Sequence, residues 1–216
     1  MQWLRIRTLF TARRERQKIS LSERAIFSAT VEALRPHCLV VPEPVENPNS
    51  LPVLEEVQRI APYLLLTLGG PLYSRALLTA ARGLAINQHA GWSPDLKGSC
   101  THSFALYHRR SDWLGSTVHL MDTGADSGPI LRRSLVAFHA KDTPETLFMK
   151  IVALGTELMV ECMHDVLANN QVYIFPQPRR GKTVLYSEFT PDIRRAIERD
   201  LKGGWLRAAI AAETSF

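Results

Sequence analysis

A chain of 216 residues with 45% hydrophobic and 22% charged residues has the make-up of an ordinary globular protein, large enough for one sizeable core. No apolar run reaches the length of a membrane span, the N-terminus lacks the apolar core of a signal peptide, and Cys38, Cys100 and Cys162 are too few and too scattered for a disulfide framework. A cytoplasmic location is therefore expected, and membrane partners are not.

The net charge of +5 is concentrated in residues 1–24, which hold seven basic side chains against two acidic ones. Residues 1–21 read as a basic arm, able to contact nucleotide or RNA phosphates or simply to lie solvated. Trp3–Phe10 fits either a short strand or the start of a helix. Ser20 and Glu23 form a capping box for a helix burying Ile26, Ala29, Thr30, Ala33 and Leu34, which stops before Pro36. Cys38–Val41 reads as a buried strand. After a Pro- and Asn-rich loop comes a helix carrying Leu54, Val57 and Ile60. Tyr63–Leu68 is an uninterrupted apolar run, as in a strand covered on both faces of a parallel sheet.

Gly69-Gly70-Pro71 ends that strand, and a helix over about Ser74–Arg82 leads to the strand that ends at Asn87-Gln88-His89. A helix at about Thr101–His108 precedes strands around Thr117 and Ile130. Thr143-Pro144 starts a helix to about Leu167 with Leu147, Ile151, Leu154, Leu158 and Cys162 inward. Thr190-Pro191 starts a last amphipathic helix, ended by Gly203-Gly204. The alternation predicts an α/β fold with a mainly parallel sheet, its domain spanning 22–168 and a C-terminal extension with one helix over 169–216. Ligands bind such sheets beyond the carboxyl ends of the strands, where Gly69-Gly70 and Asn87-x-His89 both lie.

Asn87 and His89 are two residues apart, so on an extended backbone they share a face. Asp126 sits in a Gly-rich turn that can aim its carboxylate back at that face. Each has a plainer reading when taken alone: Asn87 as a turn or cap residue, His89 as a satisfied polar side chain, Asp126 as an Asx-turn. No His-x-x-x-His or Cys-x-x-Cys spacing points to a metal, so none is expected. No Gly-x-Gly-x-x-Gly follows a first strand, which disfavours an NAD enzyme.

Four motifs in order, Asn87-Gln88-His89, Pro94-Asp95-Leu96-Lys97-Gly98, Gly115-Ser116-Thr117-Val118-His119 and Asp126-Ser127-Gly128-Pro129, resemble the formyltransferase family that uses 10-formyltetrahydrofolate. The resemblance runs from about Pro62 to Val136 and more weakly to Tyr186, where Pro176-Gln177 and Gly181–Tyr186 are similar to the family's tail. It implies a three-layer, Rossmann-like α/β fold, 10-formyltetrahydrofolate as co-substrate, and catalytic roles for Asn87, His89 and Asp126. It also implies a pterin pocket lined by Leu68, Gly69, Gly70 and Leu72 and by Asp122 and Gly124 of the Asp126 turn.

Formyl transfer to an amine develops an oxyanion, and each fixed donor to such a charge is worth ~3–4 kcal/mol. Asn87 is expected as the neutral donor and His89, when protonated, as the charged one. Asp126 would favour the imidazolium and pass the amine's proton onward, directly or through water. His102 stands where part of the family carries His. His119 is expected to be structural, Cys100 to be packing, and loss of His89 or Asp126 to cost little stability. The family's opening strand, Gly-rich turn and helix have no counterpart, since no glycine precedes Gly69.

The expected acceptor is a small amine, such as an amino sugar on a nucleotide carrier or a metabolite amine. Methionyl-tRNA comes second, because the tRNA enzyme carries a C-terminal β domain that the thirty residues after Tyr186 cannot form. A formyltetrahydrofolate hydrolase and a non-catalytic ligand-binding remnant of the fold are the alternatives.

Overall fold

A computed structural model describes residues 45–213. The basic arm, the expected helix after Ser20 and the Cys38–Val41 strand lie outside the described residues. Helix α1 (Leu51–Ile60) carries a proline in its first turn, where a missing N–H costs nothing, and ends at Ala61 in the left-handed region. Strand β1 (Leu64–Leu68) follows, then the short α2 (Arg75–Thr79), whose first turn is closed by the Ser74 hydroxyl accepting from Leu77 N–H at 3.2 Å. Next come β2 (Leu84–His89), β3 (Leu96–Gly98), α3 (Thr101–Tyr107), β4 (Gly115–Leu120) and β5 (Ile130–Leu135). Helix α4 (Pro144–Asn169) begins at the expected cap, where Thr143 and Thr146 satisfy each other's backbone N–H groups. The described chain closes with β6 (Lys182–Val184), α5 (Pro191–Lys202) and α6 (Trp205–Glu213).

The α/β class expected from the sequence holds. In the described part of the main sheet, ordered β1-β2-β4-β5, β1 and β2 are parallel, while β2–β4 and β4–β5 are antiparallel. The short 121–129 turn joining β4 to β5 allows no other direction, because a parallel pair needs a long crossover. A two-stranded sheet pairs β3 with β6 in parallel.

Two expectations need correction. Among the described residues the Tyr63–Leu68 strand is not covered on both faces, since Leu66 is 36% and Leu68 58% exposed. Gly203-Gly204 does end the helix begun at Thr190-Pro191, but that helix is not the last, and the C-terminal extension holds two helices rather than one. Gly203 stays right-handed, Gly204 takes φ +83°, and the chain turns there into α6.

Helix α4 joins two apolar clusters. Its C-terminal half sets Leu158, Met159 and Cys162 on Ile86, Val118 and Leu131 of the sheet. Its N-terminal half sets Leu147 and Ile151 against Leu96 and Phe104, a cluster that Val184, Ile197 and Leu206 complete from the C-terminal segment. Where the helix crosses the sheet, a Cβ on Gly155 would meet the Gln88 amide and the Ser116 hydroxyl. The Gln88 amide in turn donates to the Val152 carbonyl at 2.8 Å. This buried contact fixes β2, and hence Asn87 and His89, relative to the longest helix.

Candidate functional site

Register assembles the site. In the β2–β4 pair Asn87 faces His119 and His89 faces Thr117. Directly opposed side chains stand close enough to touch. The Asn87 amide donates to His119 Nε2 at 3.1 Å and to Asp126 Oδ1 at 3.2 Å, and its carbonyl accepts from the Thr67 hydroxyl at 2.8 Å. His119 Nδ1 lies 2.8 Å from the Leu120 carbonyl, which can only accept, so Nδ1 carries a proton, and Nε2 faces both the Asn87 amide and the Asp126 carboxylate.

The Ser116-Thr117 pair on β4 holds the backbone beside His89. The Ser116 hydroxyl donates to the His89 carbonyl at 3.1 Å, and the Thr117 hydroxyl donates to the Gly91 carbonyl at 2.7 Å while accepting from Ser93 N–H. The Thr101 hydroxyl donates to the Ala90 carbonyl at 2.6 Å. Three buried hydroxyls thus pin the backbone that leaves β2 and hold His89 in place.

Asp126 is returned to this strand end by the turn after β4. Leu120 and Met121 N–H groups bind the Pro129 and Ala85 carbonyls, and Asp122 accepts from Gly124 N–H at 3.0 Å and from the Ser127 hydroxyl at 2.8 Å. A Cβ on Gly128 would run into the Leu120 carbonyl, so the turn closes only around glycine. Asp126 itself takes φ +49°, a conformation Asp tolerates better than most residues. Its Oδ2 accepts from Gly98 N–H at 2.8 Å and lies 3.2 Å from His89 Nδ1; its Oδ1 meets Asn87 and, at 3.4 Å, His119 Nε2. The three residues singled out in the sequence therefore share one carboxylate as their hub.

The charges follow from burial. Loss of solvent pulls the His89 imidazole below its ordinary range, outweighing Asp126 and the Leu96 carbonyl, 3.2 Å from Nε2, which pull the other way. Burial pushes Asp126 up, but His89, His119 and the Gly98 N–H outweigh it and leave the carboxyl below its ordinary value. The resting pair is neutral imidazole and carboxylate. Asp126 favours the imidazolium, as expected from the sequence, but desolvation exceeds the attraction of a single carboxylate. With Nε2–H given to Leu96, the bare Nδ1 faces Asp126 Oδ2 across a gap that one proton would fill.

These groups open on a cavity of about 650 Å³. Leu68, Gly69, Gly70, Leu72, Asp122 and Gly124 all line it with Asn87, His89 and Asp126. Gly69 and Gly70 take φ +63° and +110°, backbone that few other residues adopt, and present no side chain of their own. Further lining was not read from the sequence as a site: His119, Phe148, Leu185, Tyr186 and Phe189. His102 stacks on Phe148 with ring centroids 4.7 Å apart, and burial draws its pKa down to about 4 despite Glu145. Cys100 lines the cavity too, next to α3. Among the described residues no group of three or more His, Cys, Asp or Glu is arranged to hold a metal ion, and no helix is long and apolar enough to cross a membrane.

Comparison with known proteins bears on the same stretch. The family model described as formyl transferase matches residues 49–163. A methionyl-tRNA formyltransferase of Geobacillus thermodenitrificans is 30% identical, over 74% of this chain and 53% of its own length. Another, from Enterococcus faecalis, is 30% identical over 78% of this chain and 51% of its own. This chain spans about half the length of the curated relatives it matches. A 4-N formyltransferase from Francisella tularensis shares the fold with a TM-score of 0.58 at 18% identity, over 74% of this chain and 62% of that one. So does a formyltransferase from Anoxybacillus kamchatkensis, in complex with a UDP-linked formamido sugar and tetrahydrofolate, at 0.51 and 21%, over 58% and 66%.

Proposed function

The chain belongs to the formyl transferase family, and from that premise we propose that it moves a formyl group from 10-formyltetrahydrofolate to the primary amine of a small acceptor, an amino sugar on a nucleotide carrier or a metabolite amine. The observation that carries this reading is the Asp126 carboxylate, which holds the Asn87 amide, the His89 imidazole and the Gly98 N–H at the wall of one cavity. The bare backbone of Gly69 and Gly70 beside the apolar Leu68 and Leu72 suits the flat ring of a pterin. The bound co-substrate supplies the activated formyl carbon.

In this reading the protein's own groups do two things. The Asn87 amide, held at the cavity wall by Asp126, His119 and Thr67, is the neutral donor to the oxygen on which charge develops. The attacking amine must lose a proton as it bonds to the formyl carbon, and the space between His89 Nδ1 and Asp126 Oδ2 takes it, while the folate nitrogen takes up a proton as its own bond to that carbon breaks. His89 then becomes the charged donor, so its positive charge appears only when the reaction supplies it. An acceptor amine is itself drawn to a cavity carrying Asp122 and Asp126.

The tRNA-linked acceptor stays as a second reading, favoured by the naming of the sequence relatives as methionyl-tRNA formyltransferases. Incubation of the full chain with 10-formyltetrahydrofolate and, in turn, nucleotide-linked amino sugars and aminoacylated initiator tRNA separates the two. Formylated sugar is the expected product. Formylation of the tRNA alone would replace the small acceptor, and formate release with no acceptor dependence would make the protein a hydrolase.

A further inference from the structure

The value of the Asn87 amide depends on which of its ends meets the reaction. Its nitrogen donates to Asp126 Oδ1 at 3.2 Å and to His119 Nε2 at 3.1 Å. When the Asp126–His89 pair takes the amine's proton, the pull of the carboxylate on that nitrogen weakens. A protonated Asp126 can also donate, and so can bond Oδ1 of an Asn87 turned end for end. In that orientation the amide would set a carbonyl, in place of an N–H, against the negative oxygen forming on the formyl carbon.

A third bond opposes the turn. The Thr67 hydroxyl donates to Asn87 Oδ1 at 2.8 Å. Its alternative acceptor, Met121 Sδ at 3.4 Å, is a weak one, so the proton belongs to Oδ1. Thr67 stands beside Asn87 in the parallel register of β1 and β2, which backbone pairing from Leu64–Leu84 to Leu68–Gln88 already joins. Strand pairing therefore has no need of this hydroxyl. Thr67 is not among the residues lining the main cavity, whereas Asn87 is, so it reaches a bound ligand only through the amide. Unlike Asp126 and His119, it keeps one charge throughout.

We infer that Thr67 is a positioning residue for formyl transfer: it pins the Asn87 carbonyl so that the amide keeps an N–H available to the developing oxyanion while protons move around Asp126. The inference rests on the formyl-transfer reading of the cavity. A second effect has the same sign. As the formyl oxygen gains charge it polarises the amide and pushes electron density onto Oδ1, where the Thr67 proton receives it, and bonds in such a chain strengthen one another.

The test uses the full chain with 10-formyltetrahydrofolate and whichever acceptor of the preceding incubations is formylated. Wild type is compared with Thr67→Val, Thr67→Ser, Asn87→Ala and the Thr67→Val/Asn87→Ala double variant. Valine keeps the branched shape and the strand preference of a half-buried threonine, and serine keeps the hydroxyl. Thr67→Val should lower kcat about tenfold with KM for 10-formyltetrahydrofolate within about twofold of wild type, because the hydroxyl acts on the developing charge. Thr67→Ser should restore kcat to within about threefold. In the Asn87→Ala background, adding Thr67→Val should slow single turnovers by less than about twofold, since the amide through which Thr67 acts is gone. In nitrogen-15 spectra the Asn87 side-chain NH₂ signals should shift in Thr67→Val and return in Thr67→Ser. Thr67→Val turning over at the wild-type rate overturns the inference. So does an equal loss in both backgrounds, or a loss that serine does not rescue, either of which makes Thr67 a packing residue. A wild type that formylates no acceptor sinks the formyl-transfer reading and this inference with it, whereas transfer indifferent to Thr67 sinks the inference alone.

Discussion

Asp126→Asn keeps the shape of the hub and removes its charge. The carboxylate now receives Gly98 N–H on Oδ2 and the Asn87 amide on Oδ1. An asparagine has one acceptor oxygen. Turned toward Gly98, it aims an NH₂ at the Asn87 NH₂; turned the other way, it aims that NH₂ at a fixed backbone N–H. Relief requires Asn87 to flip, which breaks its bond from Thr67. Leaving one such donor unsatisfied costs about 1–3 kcal/mol, and the backbone offsets none of it, since Asn fits the left-handed position as well as Asp does. The substitution is therefore not neutral for stability, contrary to the expectation drawn from its place in a turn. The side chain is only 15% exposed and has four polar neighbours, which no inspection of the turn alone reveals. For turnover, losing the proton acceptor should cost about 10²–10⁴-fold, or ~3–5 kcal/mol of barrier. Chemical denaturation and a formyl-transfer assay on the same preparation read both quantities. Turnover within threefold of wild type at unchanged stability would refute the hub.

Protonation gives two further expectations. An NMR titration of the His89 imidazole should show a midpoint below 6.5, lowered further in Asp126→Asn because that carboxylate holds it up; a midpoint above 7 would mean that Asp126 outweighs burial after all. For His102, the unfolded chain takes a proton near pH 6.5 and the folded one only near 4, so stability falls as pH drops through that window. Between pH 7 and 4.5 the loss from this residue is about 2.5 kcal/mol, so His102→Asn should be less acid-sensitive than wild type by that amount in urea unfolding, and identical pH profiles would contradict the burial. Gly128→Ala, with a methyl driven onto the Leu120 carbonyl, should cost about 3 kcal/mol or more, and an unshifted denaturation midpoint would show that the Asp126 turn is looser than described.

What was legible in the sequence was local. Alternation along β2 places Asn87 and His89 on one face, and Thr143-Pro144 and Thr190-Pro191 announce two helices through capping chemistry acting within four residues. The role of His119 depends on cross-strand register, since only pairing sets it opposite Asn87. That register had a signal in the two motifs, each ending in histidine, but not one that periodicity within either strand displays. The lining by Leu185, Tyr186 and Phe189 comes from a segment some sixty residues beyond Asp126 that reaches the site because β6 pairs with β3 inside what reads as a loop. The effect of burial on His89 was not legible for a similar reason. A carboxylate partner can be read from neighbouring motifs, whereas desolvation depends on everything packed around the ring.

The central claim is that Asn87, His89 and Asp126 serve a folate-dependent transfer whose pterin is held by other residues. Calorimetric binding of 5-formyltetrahydrofolate to wild type and His89→Ala, with formyl transfer measured on the same samples, tests it most directly. Folate affinity should agree within about threefold between the two while transfer falls by about 100-fold or more, because the imidazole acts on the proton and the developing charge and not on the bound ring. A wild type that does not bind the folate, or a variant that transfers formyl groups at the wild-type rate, would contradict it.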